Sequence, residues 1–340
     1  MQKGDNNMNG NQEYEMSINN RIQKLIKNSK NKDLLRRYNN YINDIALSSR
    51  YRYVSKIDNF LNTIEKDITQ VSVDDLTGYI ADLEFKENGT RYSSSYKIVV
   101  YTALKHLFAY LYSCKVIEHN PMGAVKRPRA VEYQETIEKR EKGFLTKKEV
   151  KAYLKTIAQG TGTHRAKARQ SDWKERDMLI IMIFLNTGIR CSALMKLDVN
   201  SIDFTTSQLI VTDKGNKVRR FDLPDLVIQK AEEWLTKRAD LLQGKYEDAL
   251  FISNQRKRMG QTSISDVVKK FSVNIKGKNI SPHKLRATYG TMLYDLSHDI
   301  YFVQECMGHA SPKTTELYTR GNKGTMKRAS DLIGKAVSDF

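Results

Sequence analysis

Residues 126–143 interrupt the chain. They read Lys-Arg-Pro-Arg-Ala-Val-Glu-Tyr-Gln-Glu-Thr-Ile-Glu-Lys-Arg-Glu-Lys-Gly, charged of both signs and poor in apolar side chains. Such a stretch buries too little surface to form a core and reads as a linker. Directly after it, Phe144-Leu145-Thr146-Lys147-Lys148-Glu149-Val150 has the Thr-x-x-Glu spacing of a capping box, in which hydroxyl and carboxylate satisfy the orphan amides of a helix start. A linker that runs straight into a helix start predicts a new domain from residue 144. A length of 340 residues suits two domains, each with its own core.

Upstream of the linker the apolar pattern is helical. Ile57, Phe60, Leu61 and Ile64 recur at helical spacing, and Val99, Leu104, Leu107, Phe108 and Leu111 form a second stripe. Four or five amphipathic helices are expected over 33–125, with Asn120-Pro121 ending the last strongly periodic run. Residues 1–32 are Asn- and Gln-rich without sustained periodicity and are expected to be a flexible polar tail. Downstream, Met178–Leu185 is apolar all round, as in a central buried helix, and ends near Thr187-Gly188. Two strand-like runs, Leu209–Thr212 and Val218–Leu223, flank Asp213-Lys214-Gly215-Asn216-Lys217, a hairpin turn from which Lys214 projects. Gly160–Trp173 is expected to be a basic surface loop. The segment from Thr325 puts Met326, Ala329, Leu332, Ile333, Ala336 and Val337 on one helical face. The expected fold class is mainly α with a small antiparallel β-sheet.

Charge narrows the partners. The formal net charge is +18, of which residues 1–142 carry +5 and residues 143–340 carry +13. A surface this basic attracts polyanions, nucleic acid first. No apolar run is long enough for a membrane span, and the N-terminus has no secretory apolar core, so cytoplasmic residence is expected. Cys114, Cys191 and Cys306 are scattered, with no paired or clustered ligand spacing, so reduced, buried, structural thiols and no metal are expected.

Chemistry concentrates in the second part. In Ser281-Pro282-His283-Lys284-Leu285-Arg286, serine stands at an N-cap and proline at the first helical position, which places His283 in the first turn and Arg286 on the same face. An anion fits there, at the positive end of a helix dipole. Arginine offers planar bidentate donors to phosphate oxygens, and Arg190 with Arg286 would neutralise a pentacovalent phosphorus transition state without a metal. Tyr318 follows His309 by nine positions. A phenol is a weak nucleophile near neutral pH, its pKa being about 10; arginines that favour phenolate and a His283 that takes its proton would activate it. Lys214 is then the candidate general acid for the leaving alkoxide.

The order of these residues resembles the tyrosine recombinase, or phage integrase, family. Thr187-Gly188-Ile189-Arg190 is similar to its first arginine box, Lys214 in Lys-Gly-Asn-Lys to its hairpin lysine, His283-x-x-Arg286 to its second box, and Gly308-His309 followed by Tyr318 to its third. Phe144-Leu-Thr-x-x-Glu is similar to the usual opening of its catalytic domain. The resemblance implies a helical core-binding (SAM-like) domain over 33–125 that clamps DNA, and an α+β catalytic domain over 144–340. It implies that Arg190, Arg286 and His309 hold the scissile phosphate, that Lys214 protonates the 5′-hydroxyl, that His283 assists proton transfer and that Tyr318 forms a 3′-phosphotyrosyl bond. Partners implied are double-stranded DNA with specific recombination sites, a homotetramer on two duplexes joined through the C-terminal helix, and an accessory factor that sets direction; no ATP, metal or other cofactor enters. Arg256, Lys257, Arg258 and Lys284 are candidate DNA contacts. One position departs from the pattern: Ala193 stands where the family usually has a carboxylate that braces the basic cluster. A type IB topoisomerase-like relaxing enzyme, or a DNA-binding module that has lost activity, are the alternatives.

Overall fold

The structure, a computed structural model, describes residues 10–86, 88–131, 143–212, 217–245, 247–275 and 277–308. The chain divides into two compact units, Asn11–Gln134 and a second from Glu135 onward. It is mainly helical with one small antiparallel sheet.

The first unit holds α1 (Gly10–Asn28), α2 (Lys32–Tyr41), α3 (Leu47–Thr63), α4 (Val73–Asp82) and α5 (Ser94–Ser113). The two apolar stripes of the sequence meet here, since α3 packs on α5 and puts Val54, Ile57 and Phe60 against Leu104, Leu107 and Phe108. Phe60 stands edge-on to Phe108 at 6.3 Å between ring centroids. Helix α4 starts at a reciprocal capping box between Ser72 and Asp75. Helix α5 ends at Ser113, before Asn120, whose side chain caps a separate 3-10 turn, Pro121–Gly123.

The N-terminal segment corrects the expectation of a tail. Gly10–Asn28 is α-helical, and Ile18, Ile22 and Ile26 join the core of the first unit. Their i, i+4, i+8 spacing lines one helix face; the polar residues that separate them mask that periodicity in the sequence.

The second unit is organised around one buried helix. Its helices are α6 (Lys147–Gln159), α7 (His164–Ser171), α8 (Lys174–Thr187), α9 (Cys191–Leu194), α10 (Asp225–Leu242), α11 (Gln261–Lys270), α12 (Pro282–Ser297) and α13 (Ile300–Met307). Helix α8 packs against α6, α10, α11 and α12, and its residues 179–184 are buried, so an all-round apolar sequence becomes the axis of the unit. Strands β1 (Ile202–Asp203), β2 (Gln208–Thr212) and β3 (Val218–Asp222) form an antiparallel sheet in that order. The register pairs Thr212 with Val218 and Gln208 with Asp222, so β2 and β3 flank the hairpin expected from the sequence; its turn, 213–216, lies outside the described residues.

Polar ties fasten the start of this unit to α12. The Thr146–Glu149 capping box is present. Leu145 N–H donates to Thr288 Oγ1 at 2.9 Å, and Lys278 Nζ donates to Glu149 Oε2 and to the Phe144 carbonyl at 2.7 and 2.8 Å. In the first turn of α8, Asp177 is fully buried and accepts from Arg176 and Lys270, both at 2.7 Å, so its charge is compensated twice.

The sharpest test of the N-terminal correction is Ile22→Ala, which empties a site with no solvent exposure and should lower the urea stability of the first unit by about 2–5 kcal/mol. Met16→Ala, on the exposed face of α1, should change it little. Equal small effects would make α1 peripheral after all.

Candidate active site

Local sequence positions the second box. Ser281 Oγ caps α12 and Pro282 fills its first turn, so His283 is exposed at the helix start while Arg286, one turn on, faces inward and is 4 % exposed. The Arg286 guanidinium lies between two other motif segments. Its Nη1 donates to the carbonyl of Gly188, two residues before Arg190, and its Nη2 donates to the carbonyl of Met307 at 2.6 Å, two residues before His309. One buried cation therefore ties the first, second and third boxes together.

Each tie has a local cause. Gly188 ends α8 in the left-handed conformation (φ +59°), which releases the chain into the Arg190 turn. The Tyr289 ring packs so close that a Cβ on Gly188 would lie 2.3 Å from it. Arg190 is half-buried, and its carbonyl accepts from Ala193 and Leu194 N–H to start α9. On the far side, α13 ends at Met307, with Gly308 in the left-handed conformation (φ +60°). Helix carbonyls in a last turn lack intrahelical partners, and cations are favoured there. Arg286 supplies one, and Arg219 of β3 supplies another through the carbonyls of Glu305 and Cys306.

Other titratable groups near this cluster are unsuited to be nucleophiles. Burial, and then Cys306, push the Tyr289 phenol up to about 12. Burial pushes the Cys191 thiol up to about 12. Both stay protonated near neutral pH.

The remaining expectations divide. Lys214, His309, Tyr318, the C-terminal helix and most of the linker (132–142) lie outside the described residues. Ala193 is buried in α9, which packs on β2 and α11. Arg258 is corrected as a DNA contact: its side chain is 8 % exposed, pairs with Asp198 at 2.5 Å and donates to the carbonyls of Met195 and Leu197. It is a brace for the segment after α9. Its neighbours differ, since Lys257 is exposed and Arg256 half-buried in a turn at φ +58°; Lys284 is half-exposed. Gly160–Trp173 is also corrected, because His164–Ser171 is a helix capped by the Thr163 side chain, a signal that the Thr-x-x spacing carried. With Trp173, Arg176 and Lys270, Arg169 and Gln170 of that helix line a cavity of about 280 Å³. Cys114 is exposed rather than buried. Sequence reasoning missed Arg219, which no spacing rule separates from a solvated strand cation. Among the described residues, no helix is long and apolar enough to cross a membrane, and no group of three or more His, Cys, Asp or Glu is placed to hold a metal ion.

Gly188→Ala should cost more than about 2 kcal/mol, because a Cβ in the left-handed region adds about 1–2 kcal/mol of strain to the clash with Tyr289. In a thermal melt, Tyr289→Ala combined with Gly188→Ala should cost less than the sum of the two single changes. Strict additivity would mean that the two residues do not press on each other.

Comparison with known proteins follows the same lines. A model of the phage integrase family matches residues 143–324. The tyrosine recombinase XerC of Caldanaerobacter subterraneus subsp. tengcongensis is 30 % identical over 301 residues, 85 % of this chain and 79 % of that protein. The XerC of Alcanivorax borkumensis is 36 % identical over 146 residues, 42 % of this chain and 47 % of its own length, so this chain spans about half of that relative. Among solved structures, the XerH site-specific recombinase on a palindromic difH substrate, in a post-cleavage complex, shares the fold. Its TM-score is 0.65 at 19 % identity, over 94 % of this chain and 96 % of that one. The Tn1549 transposon integrase in complex with transposon right end DNA gives 0.61 at 18 %, over 87 % and 98 %. A family model that spans more than half of the chain, and a relative matched along most of it, carry the conclusion that the chain belongs to the tyrosine recombinase, or phage integrase, family.

Proposed function

We propose that this chain is a site-specific DNA recombinase that cleaves and rejoins DNA through a 3′-phosphotyrosyl intermediate, in the integration or excision of a mobile element. The observation that carries the reading is Arg286, whose guanidinium joins the turn before Arg190 to the helix end before His309.

In this reading Arg190, Arg286 and His309 hold the non-bridging oxygens of the scissile phosphate. The Tyr318 oxygen attacks phosphorus and its proton passes to His283; the bond to the 5′ oxygen breaks, and Lys214 protonates that oxygen. Energy is conserved in the phosphotyrosyl ester, so a 5′-hydroxyl from a partner duplex attacks it and releases Tyr318 without ATP. In this reading the buried Arg286 does two tasks, holding the Gly188 and Met307 carbonyls and donating to the phosphate. The first unit and the second both contact the duplex, and four protomers bind two duplexes, exchanging the C-terminal helix. XerH and the Tn1549 integrase are described on their DNA substrates, which supports double-stranded DNA as the partner. Arg256, Lys257, Lys284 and the cations of α7 serve as backbone contacts. An accessory protein sets direction.

A nicked suicide duplex that carries the recombination site should trap a covalent 3′ adduct, and Tyr318→Phe should abolish it. An adduct of unchanged yield in the variant would remove Tyr318 from the mechanism, and relaxation of any supercoiled plasmid without paired sites would favour a topoisomerase-like enzyme. Duplex affinity should fall with salt, with a log–log slope of roughly −0.9 per phosphate contacted; a flat response would contradict the clamp.

A further inference from the structure

The hairpin strand and the third box are joined by one side chain. Arg219 lies on β3 and follows Lys214 by five residues. Its Nη2 donates to the carbonyls of Glu305, at 3.3 Å, and of Cys306. Both belong to the last turn of α13, where cations are favoured and where the Glu305 carbonyl also accepts from Gly308 N–H. The guanidinium also lies over the Phe221 ring at 4.6 Å, two residues along the same face of β3, which fixes its plane. Its other terminal nitrogen, Nη1, approaches the backbone of Gly308 so closely that a Cβ there would stand 2.6 Å away. Glycine at 308 thus serves the left-handed helix end and the approach of Arg219 together.

We propose that Arg219 is a positioning residue for strand cleavage: it locks the strand that follows Lys214 onto the end of α13, so that the proposed general acid is held at the scissile phosphate. The inference rests on the proposed function and deepens it. A lysine would keep the charge at the helix end and lose the planar fork and the stack on Phe221.

Three readouts test it. On a nicked suicide duplex, Arg219→Ala should slow adduct formation by about tenfold or more, the scale of a small displacement of a catalytic group, while duplex affinity changes less than about twofold; Arg219→Lys should recover part of the rate. On a duplex whose scissile 5′-bridging oxygen is replaced by sulfur, the thiolate leaves without a proton, and the defect of Arg219→Ala should shrink. A defect of equal size on both substrates, or none on the oxygen substrate, overturns the proposal. In hydrogen exchange, Arg219→Ala should deprotect the amides of Val218–Asp222 and of Ile300–Gly308 together while the rest of the unit keeps its protection; unchanged exchange in both segments overturns it without reference to activity. If the unaltered protein forms no adduct while exchange responds as stated, the functional reading falls and the clamp stands.

Discussion

A buried guanidinium holding two backbone carbonyls is the constraint on which the rest depends. Arg286 can be buried because its charge is spent on groups that need a donor: the Gly188 carbonyl at the end of α8 and the Met307 carbonyl at the end of α13. Hydrogen bonds to charged groups contribute about 1.5–3 kcal/mol each, and removal of the donor would leave buried acceptors unsatisfied. Three stretches far apart in sequence, around residues 188, 286 and 307, are thereby made neighbours. Everything that precedes serves to present them. The Thr146 capping box and the Leu145–Thr288 bond seat the start of the unit on α12, and the doubly paired Asp177 fixes the other end of α8.

Arginine is used here mainly as a structural crosslink. Arg286 and Arg219 cap α13, Arg258 braces the segment after α9 through Asp198 and two carbonyls, and Arg176 joins Asp177 to the Ile252 carbonyl. A planar fork fits backbone carbonyls as well as it fits phosphate oxygens. Part of the basic excess of the second unit is therefore internal, and net charge alone overstates the surface available to a polyanion.

How much was legible in the sequence follows from how local each signal is. The capping box at Thr146, the Ser281-Pro282 helix start, the buried run of α8 and the β2–β3 hairpin are all specified by neighbours within one turn or one strand pair, and all are present. The N-terminal helix was hidden because Ile18, Ile22 and Ile26 are three apolar residues diluted by polar ones, too sparse a stripe to read as sustained periodicity in an Asn- and Gln-rich segment. Helix α7 was hidden by its own polarity, having no buried residue. The roles of Arg258 and Arg219 depend on partners about 60 and 86 residues away, a distance over which no spacing rule operates. The motif order Arg190, Lys214, His283, Arg286, His309, Tyr318 pointed to a family; the internal bonds that support part of it did not show.

In the proposed mechanism the segments that Arg286 joins share one phosphate. A crystal structure of Tyr318→Phe on its duplex measures this directly. In it Arg190 and Arg286 should both donate to non-bridging oxygens of the same scissile phosphate, with Arg286 still bonded to the carbonyls of Gly188 and Met307. A phosphate bound without Arg286, or an Arg286 that releases both carbonyls to reach it, would contradict the claim that this buried arginine assembles the site.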